Sequence, residues 1–212
     1  MWWLVAFLLF VTIVGSTWWF GLWSNVLTLM NFFIAALVAS SFYENAAATI
    51  CNQDNTYRYI ADFVGVWGLF ALVMIAMRFS TDLLSSIRLR FHPVVEMIGQ
   101  GLVCCWLGFA FVSFTFFTLH LAPIRPDSFQ TGPEVRMLGI GPDRLWMAFI
   151  QSRSRGALAN YRQSSMFPEY GLPSHPDDAN LDARVFDPVG NFLFEQAARR
   201  KRLSSYTVLR VN

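Results

Sequence analysis

Polar side chains inside long apolar runs are the residues of this chain best placed to do chemistry. Asn31 lies in one such run, and Glu96 and His120 lie in another. Inside a membrane such groups are costly, so they commonly serve ion or proton transfer or bind a neighbouring helix. Glu96 follows Pro93 by three residues, and His120 precedes a second proline by three, so both are expected near helix ends. We therefore expect structural roles, with a bond between helices for Asn31, and keep proton or solute handling as the alternative.

Small residues at four-residue spacing form a second pattern. The pairs are Ala35 with Ala39, Ala36 with Ser40, Gly101 with Cys105, and Cys104 with Gly108. Gly99 and Gly101 also form a Gly-x-Gly near the start of the run that holds Glu96. Small side chains let helix backbones approach closely, so these positions are interpreted as helix-packing sites. A pore or a substrate path is the alternative.

Sequence patterns for catalysis or cofactor binding do not occur in the chain. No phosphate-binding loop, nucleophile elbow or His-Glu-x-x-His motif is found. His92, His120 and His175 are far apart, and none has a metal ligand at the usual spacing. Sixteen basic and fourteen acidic residues leave a net charge of +2, which gives no nucleic-acid footprint. We predict a protein that is not an enzyme, with no cofactor, no metal and no nucleic-acid partner.

The composition is that of a membrane protein with a polar extension. Hydrophobic residues make up 55% of the chain and charged residues only 14%, against about 25% charged in soluble domains. Most charged residues and all but one of the prolines fall at or after Pro123. The chain is therefore predicted to have two regions, a transmembrane region over residues 1–122 and a polar, water-facing tail over 123–212.

Four apolar runs predict four transmembrane helices. Residues 1–43 carry no charge and are long enough for two spans of about 20 residues, with a tight turn at 21–25. Tryptophans cluster at both ends of the first span, as expected at membrane interfaces. A polar loop over 44–62 leads to a third run, which stops at Arg78, and a fourth run extends from Pro93 to the residue before Pro123. The predicted fold is an all-α polytopic membrane protein.

The tail is predicted to be mostly irregular, with one or two short amphipathic helices. After Pro142, an apolar stripe recurs at helical spacing, at Leu145, Trp146, Phe149 and Ile150. Such a helix lies on the membrane surface or packs against the rest of the tail, and the sequence leaves both open. A second helix is predicted to start near Asp187 and to end in the basic run 199–202. Those cations suit a helix C-terminus, with contact to anionic lipid as the alternative.

The order of these elements resembles the colicin V production protein (CvpA) family over about residues 1–122. An uncharged hairpin, a polar loop, a third span, an Arg-containing loop and a Gly-x-Gly fourth span occur in that order. The most specific piece is residues 91–101, from Phe91-His92-Pro93 to Gly99-Gln100-Gly101. The tail, with Phe186-Asp187-Pro188 before an Arg-rich helix, is similar to extensions on CvpA-like proteins of planctomycete bacteria.

The resemblance implies a multi-pass protein of the bacterial inner membrane. Its implied function is non-enzymatic support of envelope or export processes, of the kind named for colicin V toxin secretion. Membrane lipid and other membrane or envelope proteins are the expected partners. The small-residue stripes with Asn31, Glu96 and His120 leave a small channel or transporter, formed by one chain or by a homo-oligomer, as the alternative function. The loop holding Arg88 and Arg90 is predicted to be cytoplasmic by the positive-inside rule, which puts both termini outside.

Overall fold

A computed structural model describes residues 2–53, 60–84, 92–122, 124, 139–154, 186–187 and 192–205. Within these ranges every regular element is a helix, so the all-α prediction is confirmed. The elements are α1 (Trp2–Thr17), a 3₁₀ turn (Trp18–Phe20), α2 (Gly21–Gln53), α3 (Ala61–Leu84), α4 (Pro93–Leu121), α5 (Pro142–Ser154) and α6 (Phe192–Ser205).

Three helical stretches are long and apolar enough to cross a membrane: Trp2–Thr49, Ala61–Leu84 and Pro93–Leu121. Their outward faces are covered with large hydrophobic side chains, such as Phe7 at 65% and Leu102 at 68% exposure. Apolar surface on this scale is unfavourable in water and expected where lipid is the solvent. The chain is therefore a membrane-embedded protein.

The helices α1 and α2 lie beside α4 in opposite directions. The pairs are Phe10 with Gly108 and Trp2 with Phe116 for α1, and Leu22 with Gly99 and Phe32 with Phe114 for α2. The helix α1 is therefore antiparallel to α4, whereas α2 is parallel to it. The chain reverses direction between the two helices.

The reversal lies slightly earlier than the sequence predicted. We expected the turn at residues 21–25, but the 3₁₀ turn already begins at Trp18 and residues from Gly21 onward belong to α2. Gly21 has a φ of +79°, a conformation that glycine adopts at little cost. Asn25 then donates a hydrogen bond from Nδ2 to the backbone oxygen of Thr17 at 3.0 Å. That bond satisfies a carbonyl at the end of α1 which has no partner within the helix.

Two other helices are longer than their apolar runs. The helix α2 continues to Gln53, through part of the predicted polar loop, because alanines favour helix and α3 packs closely on this segment. A Cβ added at Gly65 would lie 3.1 Å from the backbone oxygen of Tyr43. The helix α3 continues beyond Arg78 to Leu84. The bounds predicted for α4 agree with the structure.

The core is an aromatic cluster that joins the membrane helices to the tail. Phe114 of α4 is fully buried, with its ring centroid 5.0 Å from that of Phe70 and 5.5 Å from that of Trp146. Trp146 belongs to α5, so the apolar stripe of this helix packs on α2 and α4 rather than on the tail alone. In α6, Phe192 stacks on Phe117 with centroids 5.6 Å apart. The described tail helices are thus docked on one end of the membrane helices.

Candidate functional site

Two buried polar pairs fix the tail to the membrane helices. In the first, Nε2 of His120 lies 2.9 Å from Oδ2 of Asp143, and both side chains are inaccessible to solvent. His120 is in the last turn of α4 and Asp143 in the first turn of α5. Histidine near a helix C-terminus and aspartate near an N-terminus are both favoured placements. The sequence singled out His120 as an end-of-helix residue but gave it no partner.

The second pair joins Asp62 in the first turn of α3 to Arg199 in α6. The guanidinium donates from Nη1 to Oδ2 of Asp62, across 137 positions of sequence. Both residues are less than 10% exposed. The membrane helices thus supply one histidine and one carboxylate, and the tail supplies one carboxylate and one guanidinium. The acidic residue lies on the tail in one pair and on the membrane helices in the other. The two pairs therefore fix the position of the tail as well as the strength of its docking.

Hydrogen bonds around these pairs complete the docked surface. Trp146 donates from Nε1 to the hydroxyl of Ser40 on α2, at 3.3 Å. Gln151 of α5 donates to the backbone oxygen of Asp187 at 2.7 Å. The carboxylate of Asp187 accepts from the backbone amide of Phe192 at 3.2 Å, which satisfies one of the free amides at the start of α6. Burial is therefore accompanied by polar pairing, as a stable interface requires.

Glu195 is a tail group whose pKa is shifted by its surroundings. It lies in the first turn of α6 and is partly buried. Burial, and then the nearby negative charge of Asp187, raise the pKa of Glu195 above its usual value. Both effects favour the protonated carboxyl.

Asn31 belongs to a second polar cluster, between α2 and α3. It is 1% exposed and donates from Nδ2 to the hydroxyl of Thr81 at 3.0 Å. Arg78 donates from Nη1 to the hydroxyl of Thr28 at 3.1 Å, and its Nε lies 3.2 Å from Oδ2 of Asp82. Hydropathy alone ends the apolar run at Arg78 and does not predict this cluster. The signal was the opposite charge four residues later, followed by two leucines that continue the helix.

Glu96, Gly99 and Gly101 lie where α4 passes the turn between α1 and α2. A Cβ added at Gly21 would lie 3.5 Å from Oε1 of Glu96, and one at Gly99 would lie 3.0 Å from a methyl of Leu22. A Cβ added at Gly101 would lie 3.8 Å from the ring of Trp18. The glycines therefore allow close packing. The structure does not bring Glu96, Asn31 and His120 together, since they lie in three separate environments.

Polar groups of the described membrane helices form hydrogen bonds between helices. Across the described ranges, no three His, Cys, Asp or Glu side chains come together as metal ligands. Asn25 donates to Sγ of Cys104 at 3.2 Å, and Trp67 donates to the hydroxyl of Thr118 at 3.2 Å. Such bonds hold helices together in a membrane.

No protein-family model, no curated protein and no solved structure matches the chain. Its function is therefore argued from its own residues.

Proposed function

We propose that this chain is a CvpA-like protein of the bacterial inner membrane that supports envelope or export processes as a non-enzymatic scaffold. The observation that carries the proposal is the docking of α5 and α6 on the membrane helices by the two buried polar pairs. A tail held in this way presents a fixed surface at the membrane boundary. Fixed surfaces are suited to protein partners because little ordering free energy is lost on binding.

The polar side chains of the membrane helices support a scaffold more than a transport path. Asn25, Asn31 and Trp67 all donate to groups on other helical segments. A transport path needs polar groups left open to a solute, whereas a scaffold needs them matched within the protein. The matched arrangement favours cohesion between helices.

We infer that the stretch Trp2–Thr49 crosses the membrane twice, which gives four crossings in all. The reversal of direction between α1 and α2 supports this, as do the tryptophans at residues 18, 19 and 23 beside the turn. The inferred orientation places the loop with Arg88 and Arg90 in the cytoplasm and both termini outside. Alkaline phosphatase fused to the C-terminus should then be active. An inactive phosphatase with an active cytoplasmic reporter would reverse the orientation.

The scaffold function is tested by crosslinking in intact cells followed by purification from detergent-solubilised membranes. A photoreactive residue at the exposed Leu145 of α5 should form discrete adducts with defined proteins. The Asp143→Asn variant, which weakens docking of α5, should lose them, whereas Arg153→Gln, a change at an exposed site of α5, should keep them. Repeated recovery of the chain alone would contradict the proposal.

A small channel or transporter is the second candidate function. It is favoured by one observation, a charged pair at Arg78 and Asp82 within a membrane helix. Liposomes that contain the purified chain would then show ion or solute flux above empty liposomes. Loss of this flux on replacing Arg78, or on replacing Asn31 and Glu96 together, would support this function. Flux equal to that of empty liposomes would exclude it.

A further inference from the structure

Arg78 and Asp82 place opposite charges one helical turn apart on an outward face of α3. Their side chains are 40% and 60% exposed. Ile75 and Phe79, on the same side of the helix, are apolar and 70% and 67% exposed. In the membrane protein proposed above this face has lipid as its solvent. Charges there meet hydrocarbon unless a polar group covers them.

The pair lies near the end of α3. Asp82 is two residues and Arg78 six residues before Leu84, where the helix ends. The 24 residues of α3 span about 36 Å, which exceeds the roughly 30 Å hydrocarbon core of a bilayer, so the last turns of α3 reach the headgroup region. The bond from Arg78 to Thr28 holds the guanidinium at this level.

We propose that Arg78 and Asp82 form a binding site for the headgroup of an ethanolamine phospholipid. The lipid phosphate accepts a hydrogen bond from Nη2 of Arg78, since Nη1 donates to Thr28 and Nε lies on Asp82. The primary ammonium donates to the exposed carboxylate of Asp82. The acyl chains then lie along Ile75 and Phe79. This site rests on the proposed membrane embedding but is independent of any protein partner.

Charge complementarity selects this headgroup over the other common ones. The site offers a positive and a negative group side by side, and the ethanolamine headgroup carries one of each. An anionic glycerol headgroup satisfies Arg78 but brings no ammonium group to Asp82, whose cation is then Arg78 alone. A choline headgroup has the cation but no N–H to donate, so it loses the hydrogen bond to the carboxylate.

A hydrogen-bonded turn fixes the two charges before the lipid arrives. The hydroxyl of Thr81 donates to the backbone oxygen of Arg78 at 3.0 Å and accepts from Asn31 at 3.0 Å. Arg78 is also bonded to Thr28, so α3 is tied to α2 on both sides of the site. Asn31 is therefore a positioning residue for the headgroup site, with no lipid contact of its own required.

The test measures lipid retention by the purified chain in detergent. Native mass spectrometry is done with ethanolamine, choline and glycerol phospholipids of identical acyl chains, each added separately. The ethanolamine lipid should be retained at least about tenfold more tightly than the other two. Arg78→Gln should remove that retention, and Asp82→Asn should abolish the preference for ethanolamine over choline. Arg153→Gln, on α5, should leave all three lipids unaffected.

Equal retention of the three lipids, or an ethanolamine preference that survives Asp82→Asn, overturns the site. Asp82 is 60% exposed, so Asp82→Asn decides the question even if Arg78→Gln does not fold. The result is separable from the scaffold function because retention is measured on the isolated chain. Lipid preference without partner adducts contradicts the scaffold alone, whereas adducts without lipid preference contradict the lipid site alone.

Discussion

His120 and Asp143 meet in a buried contact of 2.9 Å between the last turn of α4 and the first turn of α5. The two residues are 23 positions apart, and the pair closes the chain segment that links the membrane helices to the tail. Trp146, one turn further along α5, packs on Phe114 of α4. The His120–Asp143 contact and the aromatic contact therefore both hold α5 against the membrane helices.

Replacing Asp143 with Asn should weaken docking of α5. The change keeps the shape of the side chain but removes the charge, and a hydrogen bond to a charged group contributes about 1.5–3 kcal/mol. Limited proteolysis of the detergent-solubilised protein measures this as faster cleavage between α4 and α5. Leu145→Ala, a change at an exposed position of the same helix, is the control and should cleave like the native chain. Equal rates for Asp143→Asn and the native chain would show that the pair does not hold the tail.

The pair of Asp62 and Arg199 should behave as a coupled unit. Removing one member leaves the other buried without its counter-ion, which typically costs about 3–5 kcal/mol. Asp62→Asn and Arg199→Gln should each lower the midpoint of thermal unfolding, and the double variant should lose less than the sum of the two. Additive losses in this double-mutant cycle would mean that the residues act separately.

Tail docking should weaken as the pH rises through the raised pKa of Glu195. Because the folded state binds the proton more tightly than the unfolded state, this carboxyl contributes stability below its usual pKa of 4.5 and loses that contribution above the raised pKa. Glu195→Gln should remain docked across this range and flatten the pH profile. The profile is measured by the rate of proteolytic release of α6 between about pH 4 and pH 8. A native profile that matches that of Glu195→Gln would contradict the expectation.

Gly108 should not tolerate a larger side chain, whereas Gly15 should. A Cβ at Gly108 would lie 2.9 Å from the ring of Phe10 and 3.1 Å from Val14, but a Cβ at Gly15 meets nothing within 4 Å. Gly108→Val should separate α1 from α4 and cost about 1–3 kcal/mol, the usual range for overpacking. Thermal unfolding in detergent compares it with Gly15→Val. Equal midpoints would place α1 elsewhere than on α4.

Helix positions could be predicted from sequence where a continuous apolar run, suited to lipid alone, defined the helix. The bounds of α4 follow from an apolar run that starts at a proline and ends before another. The pattern failed at Arg78, because a charge was read as the end of the membrane segment. In the structure this charge is paired within the helix to Asp82 and across to Thr28. Hydropathy cannot anticipate such pairing.

The partners of the buried charges were beyond the reach of sequence alone. His120 was recognised as unusual, but Asp143 lies in a different element, and the intervening segment gives no local rule that joins them. Arg199 was interpreted as a member of a solvated basic run. It is in fact buried against Asp62, which lies 137 positions earlier in the chain. Contacts at such separation depend on packing of the aromatic core, which no spacing rule encodes.

The distance in sequence between Asp62 and Arg199 also sets an order of events during synthesis. The arginine leaves the ribosome 137 residues after the aspartate, when the four predicted spans have already been made. Until then the first turn of α3 carries a carboxylate without its counter-charge, held at the water boundary by its need for solvation. Docking of α6 therefore follows synthesis of the four predicted spans. Nascent chains stopped before residue 199 should have a protease-sensitive tail, whereas chains extended well beyond α6 should have a resistant one.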